Sequence, residues 1–140
     1  ILFRFGWAKP VPINPNYFKD PEKDMAFVGL AGPIVNFFAA WVCSLIVKFV
    51  PVLPGEFGQV IVYLLKYAIW LNIALGIFNL IPIPPLDGSR ILRAVLPFEA
   101  QITMDKMEPY GFLMLVMLLI FPGTSELIMY LVNFFFNLLV

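Results

Sequence analysis

Asp87 is the residue of this sequence whose setting most needs a chemical explanation. It follows a 20-residue stretch without charge, Tyr67 to Leu86, and lies in the run Ile81-Pro82-Ile83-Pro84-Pro85-Leu86-Asp87-Gly88. An ionisable side chain at the end of so long an apolar run is costly and usually marks a functional site. Three prolines in four positions end any helix ahead of it. Irregular backbone at membrane depth is tolerated only where it is buried in protein or lines a cavity. The plainer alternative is that Asp87 caps a following helix or closes a turn with Gly88. Upstream, Asn72, Gly76 and Asn79 recur at spacings of four and three, so they share one helix face. That face must look into protein or a water-filled cleft, because lipid would leave the amides unsatisfied. The chain has no histidine and a single cysteine, Cys43, within an apolar run. A disulfide or a cysteine-based metal site within the chain is therefore excluded, and catalysis by imidazole is not open to these residues.

Composition dictates the elements that must position these groups. Apolar residues make up 61% of the chain, charged ones only 13%, and the mean hydropathy is +0.92. A soluble domain averages roughly 45–50% apolar and about 25% charged residues, so the excess requires lipid. The expected fold is all-α, a polytopic membrane helical bundle forming one domain over residues 1–140. Zero formal net charge and the lack of a basic tract give no reason to expect nucleic acid. Met25 to Val47 carries no charge for 23 residues, and a helix of that length is about 35 Å long, enough to cross a hydrocarbon core. Spans are expected at about 25–48 and 60–81, with Lys66 snorkelling to an interface. In the first, Ala31-Gly32-Pro33-Ile34-Val35-Asn36 introduces a kink and a polar amide. Gly32, Pro33 and Asn36, like Asn72, either line a cleft or serve close helix packing.

The remaining segments are connectors and shorter helices. Residues 1–24 hold four X-Pro pairs, which push the chain toward extended conformations. Gly6 to Pro15 reads as a short extended or hairpin segment, or else as a solvated loop. Residues 82–98 form the proline-rich break, with a short helix restarting over Ser89 to Leu96. Glu99 to Glu108 is expected at the surface, and 110–140 as a C-terminal helical pair or one kinked element broken at Pro122-Gly123. Seven of the nine cations, Arg4, Lys9, Lys19, Lys23, Arg90, Arg93 and Lys106, fall on one side of the two spans. Retention of positive charge in the cytoplasm places the Asp87 end of the second span there, in a multi-pass protein of the cell membrane.

The run Phe78-Asn79-Leu80-Ile81-Pro82-Ile83-Pro84-Pro85-Leu86-Asp87-Gly88-Ser89-Arg90-Ile91-Leu92 closely resembles the signature of the site-2 proteases, the intramembrane zinc metalloproteases. Three more segments are similar to its small bacterial members: Phe5-Gly6-Trp7-Ala8-Lys9-Pro10-Val11-Pro12, Asp24 through Asn36, and Glu108-Pro109-Tyr110-Gly111. The resemblance implies that Asp87 is a zinc ligand and that Asn79 helps hold the substrate carbonyl or its oxyanion. It also implies a transmembrane protein as substrate. The family's other two ligands and its general base come from a His-Glu-x-x-His helix ahead of the Gly-Trp-Ala-Lys-Pro-Val-Pro segment. The chain opens on Ile1-Leu2-Phe3 without methionine or a signal peptide, and an N-terminally incomplete protein is expected, inactive by itself and needing two histidines from an upstream helix. Lys9, Pro10, Val11 and Pro12 would form an edge that binds unwound substrate by strand addition.

Two other readings remain open on the residues alone. A helix broken beside an acid is also how transporters build ion sites, although no second Pro-Pro-x-Asp-Gly segment recurs. A non-catalytic pseudoprotease scaffold is the other.

Overall fold

Helix α1, Pro21–Phe49, opens the part of the chain that the computed structural model describes, residues 21–49 and 55–140. It continues through Pro33, which removes one backbone hydrogen bond without ending the helix. Gly55 then takes a positive φ of 89°, a conformation open to glycine, and leads into α2, Glu56–Asn79. The helix starts four residues before the expected span because Glu56 in the first turn complements the helix dipole. It stops at Asn79, two residues early, because Pro82 disfavours helical backbone at the residue before it.

A turn segment follows, tied by Ile83 N–H to Ile81 C=O and Leu86 N–H to Ile83 C=O, both at 2.9 Å, with a cis Pro84–Pro85 bond. Helix α3, Asp87–Val95, begins at the acid itself, and Leu86 before it is extended at φ −71° and ψ 154°. The segment expected merely at the surface folds as α4, Phe98–Met107. A single 3-10 turn, Glu108–Tyr110, joins it to α5, Gly111–Ile120, and α6, Pro122–Leu139, completes the chain. The α4–α5 arm and α6 meet at 81° across Phe121.

Helices α1, α2 and α6 share the core, where Ala40, Ile69, Ile73, Ile77 and Val132 are buried. Ala40 lets the backbones approach, as small residues do at membrane helix contacts. Large apolar side chains face outward instead, among them Phe38 and Trp41 on α1, Tyr63 and Leu64 on α2, and Phe134 and Leu138 on α6. Lys23–Phe49 and Glu56–Asn79 are long and apolar enough to cross a membrane, and the bent α4–α6 pair makes a third if it counts as one span. Among the described residues the fold is helical and holds no strand. The expected extended segment at Gly6 to Pro15, with Lys9, Pro10, Val11 and Pro12, lies outside the described residues.

Candidate functional site

The break between α2 and α3 is held in place by glycines from three elements. Gly88 lies so close to the Leu80 and Ile81 backbone that a Cβ there would overlap the Leu80 carbonyl and stand 2.5 Å from the Ile81 oxygen. Gly111, at the start of α5, meets the Pro84 carbonyl in the same way. From α1, Gly29 faces the start of α3, where a Cβ would stand 2.8 Å from the Asp87 carbonyl oxygen and 3.1 Å from Arg90 Cβ. One turn along the same face, a Cβ on Gly32 would sit 2.5 Å from Asp87 Oδ2. The turn that carries the acid is thus packed by backbone against backbone on several sides.

Within that frame the Asp87 carboxylate is half-buried. Among the described residues, neither of its oxygens takes part in a hydrogen bond or ion pair. The residue occupying the cap position of α3 is Leu86, which has no capping side chain, and the first turn is tied instead by Ser89 Oγ donating to Leu86 C=O at 2.7 Å. The expected capping role therefore finds no hydrogen bond to carry it.

The other site candidates are distributed around this point. Asn79 is the last residue of α2, half-buried, at the mouth of the break. Phe37 packs on Gly76, with ring atoms 3.1 to 3.3 Å from where a Cβ on that glycine would stand, which aligns α1 with the C-terminal part of α2. Asn36, half-buried, lies one turn beyond Gly32 and next to Phe37 in sequence on α1. Pro33, on the same helix, is fully buried. Asn72, two turns earlier on α2, donates from Nδ2 to Ala68 C=O of its own helix at 2.8 Å. Such a local bond uses one donor of the amide.

Two hollows adjoin the break. A cavity of about 230 Å³ with a mixed polar and apolar lining is bounded by Met25, Pro84, Pro85, Ser89, Arg90 and Arg93, with Met104, Asp105 and Glu108. On its wall Arg93 pairs with Asp105 and so links α3 to α4. An apolar groove of about 560 Å³ starts at Leu80, Ile81 and Pro82 and continues along Phe37, Ile128 and Phe135. Neither the Arg93–Asp105 pair nor the glycine seats were foreseen from sequence, because each joins residues on different elements and leaves no periodic signal. Among the described residues, no three histidine, cysteine, aspartate or glutamate side chains converge as a metal site.

The sequence profile of peptidase family M50 matches residues 55–122, the segment from the start of α2 through the Asp87 break to the start of α6. YwhC of Bacillus subtilis, provisionally named a zinc metalloprotease, is 34% identical over 137 residues, covering 92% of this chain and 61% of its own. The chain belongs to peptidase family M50. This is the site-2 protease family whose motifs the sequence resembles. Among other M50 relatives, the zinc metalloprotease MJ0392 of Methanocaldococcus jannaschii is 40% identical over 78 residues, 56% of this chain and 22% of that one. Rip2 of Mycolicibacterium smegmatis, also provisionally a zinc metalloprotease, is 32% identical over 116 residues, 82% of this chain and 43% of its own. This M50 chain therefore spans about three fifths of YwhC and less than half of the other two. No solved structure shows a significant match. M50 membership and the long apolar helices together place the protein in a membrane.

Proposed function

We propose that this chain supplies the Asp87 side of an intramembrane zinc metalloprotease that cleaves transmembrane segments of other proteins. The observation that carries the reading is the Asp87 carboxylate, without a hydrogen-bond partner among the described residues and set against Gly32 at the end of a broken, apolar helix. The zinc of the named relatives supports the metal. A catalytic zinc takes three protein ligands, and the described residues offer one, so they do not make a complete site. With no histidine in the sequence, the remaining ligands and the general base would come from outside these 140 residues. Zinc, when bound, supplies a Lewis acid and lowers the pKa of its water to about 7.

The chain's own residues have narrower roles in this reading. Asp87 offers a carboxylate oxygen whose direction is set by the packing of α1 against α3. Asn79 offers an amide N–H to a substrate carbonyl as negative charge develops on its oxygen. The apolar groove from Leu80 to Phe135 suits an apolar substrate segment. Lys9 to Pro12 would hold the unwound part of that segment by strand addition, and crosslinking from cysteines placed along them tests it. Labelling confined to the Asn36 face would reject that role. The excess of cations at the Asp87 end favours a multi-pass arrangement with that end in the cytoplasm.

The test uses the full-length protein, reconstituted with a transmembrane substrate, in three preparations. Asp87→Ala is expected to abolish cleavage and lower zinc per molecule. Asn79→Ala is expected to slow cleavage roughly 10²- to 10³-fold and leave zinc in place. An Asp87→Ala protein that keeps both zinc and activity would end the reading. So would a wild-type protein that retains no zinc, the result expected of a transporter or a pseudoprotease.

A further inference from the structure

We infer that Gly32 is a positioning residue for Asp87: by having no side chain, it leaves the notch on α1 that fixes where Oδ2 of the carboxylate lies. The inference rests on the proposed role of Asp87 as a ligand. Five glycines of the described chain stand closer than 3.2 Å to another group at their Cβ position, but they do not meet the same kind of neighbour. Gly88 and Gly111 press on main-chain carbonyls of the turn, and Gly29 on the carbonyl of Asp87. Backbone of this sort cannot rotate away, so a methyl group at those positions must displace whole elements. Gly76 faces the ring of Phe37, a packing contact within the α1–α2 seam.

Among the five, Gly32 alone faces the functional end of an acidic side chain. Its Cβ position is 2.5 Å from Asp87 Oδ2, and the next nearest atom, Asp87 Cγ, is already at 3.6 Å. No other atom within 4 Å obstructs a methyl group among the described residues. The carboxylate can swing aside by rotation about its own side-chain bonds, and no helix has to move. Alanine at Gly32 therefore leaves the fold nearly intact while redirecting the one oxygen that matters. Alanine also favours helix more than glycine does, which offsets what crowding remains. Among the described residues, no hydrogen bond to the Asp87 side chain holds it in place instead. Its direction is thus set by shape, and Gly32 is the wall that sets it.

The experiment compares wild type, Gly32→Ala, Gly29→Ala and Gly123→Ala in the full-length protein. Three quantities are read on each: the zinc dissociation constant, the unfolding midpoint, and kcat and KM on a transmembrane substrate. Gly32→Ala is expected to keep the wild-type midpoint and to bind zinc on the order of 10- to 100-fold more weakly, the usual effect of disturbing a group that orients a metal ligand. Its kcat should fall with KM unchanged, and excess zinc should restore cleavage. Gly123, where a Cβ has ordinary contacts from 3.6 Å, should tolerate alanine in every readout. Gly29→Ala should lower the midpoint together with zinc affinity. Wild-type zinc affinity in Gly32→Ala would overturn the inference, as would a midpoint that falls in step with kcat or a loss that excess zinc does not repair. A wild-type protein without zinc or cleavage would overturn the ligand role of Asp87 itself, a separate failure.

Discussion

Gly88→Ala tests whether the turn bearing Asp87 is fixed by direct backbone contact. A Cβ at Gly88 would overlap the carbonyl carbon and oxygen of Leu80 and come within 2.5 Å of the Ile81 oxygen. All three are main-chain atoms at the end of α2, where Leu80 N–H is held by Gly76 and Ile77 C=O at 3.2 Å. Relief requires the end of α2 and the start of α3 to separate. Overpacking of a filled site costs about 1–3 kcal/mol, and alanine's helix preference over glycine returns at most about 1 kcal/mol. Because three backbone atoms obstruct at once, a net loss of about 2 kcal/mol is expected. Unfolding of the purified protein in detergent, followed by circular dichroism against denaturant, measures it. Gly123→Ala, whose nearest neighbour is the Phe121 ring at 3.6 Å, controls for glycine replacement in a helix. A Gly88→Ala protein within about 0.5 kcal/mol of wild type, the range of an unobstructed surface change, would refute the close packing of the turn.

Ile73→Ala should cost roughly 2 kcal/mol or more, since the side chain is fully buried where α2 meets α1 and α6; the same unfolding assay reads it, and a neutral result would contradict the shared core. Arg93→Ala and Asp105→Ala should each cost less than about 1 kcal/mol, because the pair is 46% and 45% exposed. A double-mutant cycle at low and high salt checks this, and a coupling that does not weaken in salt would contradict the exposed geometry.

The two long helices were legible because the first carries a charge-free run of 23 residues and the second is interrupted only by Lys66, and so long an apolar stretch has few other uses. Their ends shifted by a few residues for local reasons, as with Asp87, which starts α3 where the sequence suggested Ser89. An acid is favoured in a first turn as well as at a cap, and spacing does not separate the two. Helix α4 was hidden because Phe98 to Met107 mixes Glu99, Gln101 and Lys106 with apolar residues and shows no strong stripe. The chemistry of Asp87 and Asn79 could be suspected from residue type and from the Pro-Pro-Leu-Asp-Gly motif. The contact of Gly32 with Asp87 could not, since it pairs a helix with a distant turn and depends on how α1 packs on α3. Asn72 shared the helix face of Asn79 by spacing, yet one donor of its amide goes to Ala68, a local bond that periodicity does not reveal.

Zinc K-edge absorption on the full-length protein, wild type against Asp87→Ala, tests the central claim most directly. The expected result is a wild-type spectrum with one carboxylate oxygen among its protein ligands, and in Asp87→Ala a lower zinc content with that oxygen scatterer lost from whatever metal remains. A variant with full zinc occupancy and an unchanged spectrum would show that Asp87 is not a ligand.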